Sequence, residues 1–503
     1  MARDEGPLAA PRRADVDRPP PNTPRLHDAA RAILAAALRA VDAGDAVRRA
    51  LTLEGDRLHV AGRPPRSGPA LPLRDDDGAV DVANATDDAA IDLAGIDRIF
   101  LVAAGKAARP MVEAAEAVLG DRIAAGIAIG GPDARGTTGR TTLYAGGHPL
   151  PDPSGLMATR HIVRLLADTT ERDLVLVLLS GGASAMLEQP GGRMPLIEIA
   201  AATSALLSSG APIDAVNTVR KHLSAVKGGG LLRAIAPAQS LTLAISDVLT
   251  PPGADEAAII GSGPTAADPT TFADAGAVLS RRDLWSALSA AIGDHLRAGM
   301  AGAVPETVKP GDPLLARAAY RVIADGDTAV TAAAAKAAQL GYSPLVLSTR
   351  LAGEAREAGA FLAAVALECA ATHRPAAPPA CLIAAGETTV TLRRLGGTGG
   401  RNRELALAAA LALAGTDGIA LATLGTDGVD GAPGAAGAIA DGTTAQRAAA
   451  LGRDAAAALD RHDSGPLFDA LGDAIVTGPT GTNVGDLTIA LIGASTAMAE
   501  ARP

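Results

Sequence analysis

The sequence predicts an α/β protein of two domains built on buried parallel strands with helices on both faces. Three observations carry this. Apolar runs without alternation, such as "RIFLVAA" (98–104), "DLVLVLL" (173–179) and "SLTLAI" (240–245), read as strands covered on both sides. Each is followed by a turn of small residues and a helix-length segment, the grammar of a βαβ unit. A shift in composition at "GMAGAVPETVKPGDP" (299–313) then separates this set from a second one, "SPLVLST", "ACLIAAGE", "GIALATLGTDG" and "LTIALIG".

In chain order, residues 1–26 are rich in Pro and Arg with interspersed acids and no apolar core, so they read as a disordered extension and not as a signal or transit peptide. Residues 27–53 have helical periodicity with a Gly-Asp break, and the Pro-, Asp- and Gly-rich stretch 62–92 reads as a long loop. The domains expected are therefore 27–310 and 311–503. Net charge is −10, the wrong sign for a nucleic-acid partner, and one Trp, three Tyr and four Phe offer few stacking platforms. Apolar runs reach only about ten residues, too short to span a bilayer. The two cysteines, Cys369 and Cys381, make neither a disulfide framework nor a zinc site. These features point to a soluble, cytoplasmic protein, with no membrane and no nucleic-acid partner.

Chemistry-bearing residues fall in the turns. "GKAA" puts Lys106 between a strand and a helix, where it either holds a phosphate or carboxylate or is a solvated surface lysine. "SGGASA" (180–185) either cradles an anion with its amides and hydroxyls or is a plain tight turn; its spacing is not that of a nucleophile elbow. "VNTVRKHLSAVKGGG" concentrates Arg220, Lys221 and Lys227. At helical spacing Arg220 and Lys227 share a face, fit either to clamp an anion or to face solvent. Asp247 ends a buried strand, as a Mg²⁺ ligand, a general base or a cap. "GSGPTAADP" (261–269) suits close backbone approach, and "GTDGVDG" offers Asp427 and Asp430 to a divalent cation or an ordinary turn. "GGTGGRNRE" (396–404) opens a helix with glycines and Arg401, an arrangement that turns backbone amides toward an anion. There is no P-loop, no convincing dinucleotide fingerprint and no protein-kinase signature.

Taken in order, "AAGKAA", "GHPLPDPSGL", "LLSGGASAM", "NTVRKHLSAVKGG", "ISDV", "GSGPTAADPTTF", "GETTVTL", "GGRNRELALAAA", "GTDGVDG" and "TGPTGTNVGD" resemble the class II glycerate kinases, which carry a C-terminal MOFRL domain. The resemblance runs from about residue 103 to 486. It implies a Rossmann-like first domain, a C-terminal α/β domain of MOFRL type, and an active site in the cleft between them. It also implies ATP, Mg²⁺ or another divalent cation, and phosphorylation of D-glycerate to 2-phosphoglycerate by a monomer or homodimer. Lys106, Asp247 and Arg401 match the key active-site positions. Ser180, Gly181, Gly182, Ser184, Asn217, Arg220 and Lys221 are then expected on the substrate. Lys227, Gly261, Ser262, Gly263, Glu387, Gly399, Gly400 and Asn402 are expected on the nucleotide, and Asp247 and Asp427 on the metal. The chain departs from the family pattern at Arg403, where Gln is usual, at Gly434 and Gly485, and in a few extra residues after Asp247. Two other readings are a hydroxypyruvate reductase, a label used in this family but disfavoured by the absent dinucleotide fingerprint, and a non-catalytic metabolite-binding protein.

Overall fold

The computed structural model describes residues 23–66, 88–249, 255–392, 397–431 and 434–494. Most of the expected N-terminal extension lies outside these residues, and its last four, 23–26, open the helix Thr23–Ala40. The chain forms two compact units: 37–329 with 479–485, and the described residues of 1–36, 330–478 and 486–503.

The first unit begins with a small antiparallel sheet of β1 (Leu51–Glu54), β2 (Arg57–Ala61) and β3 (Asp88–Asp92). Two of these strands fall where sequence periodicity suggested helix and loop; residues 67–87 of that expected loop lie outside the described residues. The main sheet contains β4 (Arg98–Ala104), β5 (Ile123–Gly130), β6 (Gly136–Thr138), β7 (Thr141–Ala145), β8 (Asp173–Leu179), β9 (Gln239–Ile245) and β10 (Ala318–Ala324). Their order is β10-β9-β8-β4-β5-β7-β6, parallel throughout except for β6 against β7. Helical crossovers bury both faces, so β8 is apolar at six consecutive positions and buried along its whole length. Val102, Val177, Leu179, Ile162, Met186 and Leu231 meet in one core, each side chain worth about 1.5–3 kcal/mol on burial. The chain runs from β4 to β5 on one side and later returns to β8 on the other. The carboxyl ends of β4 and β8 are therefore a topological switch point, where open α/β sheets bind ligands.

The composition shift at 299–313 precedes β10, and β10 still pairs with β9; the contact-defined change of unit falls at 329/330. The strand "AAYRVIA" carries Tyr320 and Arg321 and so lacks the apolar run that marks its neighbours.

The second unit corrects the expectation of parallel strands. Its sheet holds β11 (Ser343–Leu351), β12 (Ala380–Gly386), β13 (Ile419–Gly425), β14 (Gly437–Asp441), β15 (Ala474–Ile475) and β16 (Asp486–Ile492), in the order β11-β12-β16-β13-β14-β15. Only β11 and β12 run parallel; β16 lies antiparallel between β12 and β13. β12, β13 and β16 are each buried at every position. Two covered faces produce an apolar run whichever way a strand points.

Candidate active site

Within the first unit, three strand ends converge. After β4, Gly105 takes φ +126° and lies flat on Ser180; a Cβ there would overlap the serine hydroxyl and carbonyl. The Lys106 amide donates to the Gly181 carbonyl (2.8 Å), and the Ala107 amide donates to Ser180 Oγ (3.0 Å). Ser180 is buried, and its hydroxyl ties the β4 turn to the β8 turn. Gly182, at φ +89°, faces the His148 ring and the aliphatic stem of Lys106. Gly181 faces Asp247, which follows β9, so closely that a Cβ would overlap its Oδ2. That same oxygen accepts a hydrogen bond from Asn483 Nδ2 (2.8 Å). Lys106, His148, the Gly181–Gly182 turn, Asp247 and Asn483 thus line one end of the sheet.

Beside them runs a polar chain. Ser184 Oγ and Ser262 Oγ share a hydrogen bond (2.9 Å), and Ser262 Oγ donates to Asn217 Oδ1 (3.0 Å). Gly261, Ser262 and Gly263 all have φ near +62°. The serine is held in this costly conformation by its two side-chain partners. Arg220 is buried and donates through Nη2 to the Ser184 carbonyl (2.7 Å). Burial lowers its pKa, with the charge of Glu188 opposing.

The other basic residues of this stretch are placed differently. The helix Ile213–Leu223 ends before Lys227, and Ser224 is extended, so Arg220 and Lys227 do not share a helical face. Lys227 is enclosed, with Nζ 2.5 Å from Glu188 Oε2 and donating to the Leu187 carbonyl (3.0 Å). Burial pulls its pKa down to about 8, against the pull of Glu188. Lys221 Nζ is bound to the buried Asp268 (3.2 Å). Burial raises the Asp268 carboxyl, yet the charge of Lys221 and the bonds from Thr270 outweigh it and hold the carboxyl below its usual range. The amides of Gly228 and Gly229 donate to the carbonyls of Ser262 and Gly263, so these two glycine-rich loops hold each other.

In the second unit, "GGTGG" leads into the helix Arg401–Ala412. The amides of Asn402 and Arg403 both donate to the Asp430 carboxylate, each at 2.9 Å. The anion at this helix N-terminus is therefore an internal side chain. A Cβ on Gly400 would overlap Asp430, and one on Gly399 would press on Ser464 Oγ (2.5 Å). Both glycines are thus required by packing within the unit. Arg403, the departure from the family pattern, is buried and bound to Asp430 through Nε (3.1 Å) and to its carbonyl through Nη2 (2.6 Å). Asn402 accepts from Thr423 (2.6 Å) and is buried.

Arg401 is half-buried, whereas Asn402 and Arg403 after it are buried. Nε and Nη2 meet the two oxygens of Asp486 (2.5 and 2.9 Å), and Nη1 meets Glu387 (2.8 Å). Burial opposes its charge, but these acids outweigh that and raise its pKa. Burial pushes the Asp486 carboxyl up to about 6, against the bonds from Arg401. Asp427 is half-buried, its Oδ1 accepting from the Val429 amide (3.0 Å).

Sequence reasoning missed His148, Asn483 and Asp486 as individual residues, although each lies in a motif it had noted. Asn483 and Asp247 are 236 residues apart, and Arg401 and Asp486 are 85 apart, so only the fold reveals these pairs.

The class is that of a two-unit α/β protein with charged turns at the carboxyl ends of a parallel sheet and an Arg-bearing glycine turn on a mixed one. Residues 29–297 match a family described as a domain of unknown function, DUF4147, and residues 380–486 match the MOFRL family. The chain belongs to the glycerate kinase family that combines these two domains. A Thermotoga maritima D-glycerate 2-kinase is 40% identical over 398 residues, covering 79% of this chain and 91% of that protein. An Agrobacterium vitis protein provisionally named a hydroxypyruvate reductase is 42% identical over 397 residues, covering 79% and 87%. The crystal structure of a T. maritima glycerate kinase superposes with a TM-score of 0.77 at 36% identity, covering 93% of this chain and all of that one. Among the described residues, no helix is long and apolar enough to cross a membrane.

Proposed function

We propose that the chain is an ATP-dependent glycerate 2-kinase. The observation that carries this reading is the 40% identity with a D-glycerate 2-kinase across 91% of its length. The turn chemistry is consistent with it. In phosphoryl transfer, the C2 hydroxyl oxygen of D-glycerate forms a bond to the γ-phosphorus while the bond to the ADP oxygen breaks, and the hydroxyl proton leaves to a base. Such a reaction needs positioning and charge stabilisation more than covalent help.

Lys106 and Arg401 are proposed to stabilise the transferring phosphoryl group, and Asp247 to orient the hydroxyl or take its proton. Arg220 is the proposed partner of the glycerate carboxylate. The one side-chain hydrogen bond it makes among the described residues is to the Ser184 carbonyl, and a desolvated guanidinium suits a planar carboxylate. Ser184, Ser262 and Asn217 form the adjoining polar wall.

A divalent cation would neutralise charge on the phosphates. Magnesium commonly takes one or two protein carboxylates together with phosphate and water oxygens. Asp427, half-buried and anchored by a backbone amide, fits that habit, and Asp247 is the other candidate. No three potential metal-ligating side chains cluster among the described residues. A cytoplasmic location and a monomeric or homodimeric state belong to the same proposal.

The test uses purified protein, ATP, Mg²⁺ and D-glycerate, coupled to enolase without phosphoglycerate mutase. Product formed under these conditions is 2-phosphoglycerate; a strict need for mutase refutes the regiochemistry. The name of the Agrobacterium relative makes reduction the second reading, and oxidation of a nicotinamide cofactor by hydroxypyruvate would establish it.

A further inference from the structure

We infer that Asn483 is a positioning residue for Asp247, an inference that rests on the proposed catalytic role of that carboxylate. The residue comes from 479–485, a seven-residue segment that belongs to the first unit although the chain on either side of it belongs to the second. Three contacts fix it. The Thr482 hydroxyl donates to the Val41 carbonyl (2.7 Å) and anchors the segment. The Gly485 amide donates to Asn483 Oδ1 (3.2 Å), which obliges the other end of the carboxamide to be the NH₂ group. That NH₂ then donates to Asp247 Oδ2 (2.8 Å).

The other side of the same oxygen is closed by Gly181, where even one methyl group would collide with it. Asp247 is therefore held between a glycine that leaves room for its carboxylate and a carboxamide whose polarity is set by a backbone amide. Only a side chain with an acceptor and a donor on one planar group meets both demands. Aspartate in its place would keep the acceptor for Gly485 and set two carboxylates together. Alanine would release the rotamer. The chemistry of phosphoryl transfer requires the hydroxyl and its base to be aligned, and misplacement by about 1 Å costs about 100-fold in rate.

The experiment is a double-mutant cycle in the full chain with D-glycerate, ATP and Mg²⁺. N483A is expected to lower kcat by about 10- to 100-fold, with KM for D-glycerate changed by less than about 3-fold. N483D is expected to lose at least as much. Calorimetric affinity for D-glycerate, measured without nucleotide or metal, and the melting temperature are expected to stay near wild type. In a D247N background the same N483A change is expected to cost less than about 3-fold, since its route of action is already gone. An equal loss in both backgrounds, or a wild-type kcat in N483A, overturns the inference. Wild-type turnover in D247N itself instead overturns the reading of Asp247, and the inference falls with it.

Discussion

Lys227→Met tests the enclosed ion pair and the expectation that this lysine serves the nucleotide. Lys227 and Glu188 are both buried, at 1% and 2% exposure, and lie 2.5 Å apart. Met keeps the volume and removes the charge. Glu188 Oε1 has no hydrogen-bond partner among the described residues, so the variant leaves a buried carboxylate with only the charge of Arg220 to offset its burial. Breaking one side of such a pair costs about 3–5 kcal/mol. For a unit of about 300 residues, at about 1.6 °C per kcal/mol, the melting temperature should fall by about 5–8 °C. Scanning calorimetry at pH 7 measures this, and a paired Glu188→Leu change should restore most of the loss, because an apolar pair of similar volume avoids the desolvation penalty. KM for ATP, assayed well below the transition, should stay at the wild-type value. A loss under about 1 kcal/mol, or a raised KM for ATP without a shift in melting, refutes the structural reading of Lys227.

Burial holds the Lys227 pKa near 8, against about 10.4 in an unfolded chain. Between these values the unfolded state binds more protons, so the wild type should gain stability relative to K227M as pH rises from about 8 to 10; a flat difference rejects this. Lys106→Ala and Arg401→Ala should each lower kcat by about 100- to 1,000-fold while the protein stays folded, and near-wild-type turnover in either disproves its role. Asp430→Ala removes the acceptor of two helix amides and strands Arg403, so chemical denaturation should show a loss of about 3–5 kcal/mol; a loss below about 1 kcal/mol would contradict the internal-anion account.

β4, β8 and β9 were legible because strands covered on both faces become continuous apolar runs. The direction of β12, β13 and β16 was not, since the same covering leaves no mark of parallel or antiparallel pairing. Glycines announced turns at Gly105, Gly181 and Gly400, but the atoms that require them lie elsewhere in the chain: Ser180, Asp247 and Asp430. The phosphate-loop reading of "GGTGGRNRE" met an acid 28 residues beyond Asn402, Asp430, that already occupies the amides of Asn402 and Arg403. Lys106, Asp247 and Arg401 were visible as charges on turns, whereas Asn483 and Asp486, which hold two of them, looked like ordinary members of a hydroxyl- and glycine-rich stretch.

The heptapeptide 479–485 has a consequence for inheritance. Because the first unit recruits it from beyond residue 330, and the second recruits residues before 37, no single crossover in the gene exchanges one complete unit between two relatives. A hybrid joined near residue 329 would combine one parent's Asp247 with the other parent's Asn483. The two halves of this partnership are therefore inherited together only when both segments come from one parent. A fragment of the first unit keeps Asn483 beside Asp247 only if the heptapeptide is fused back onto it.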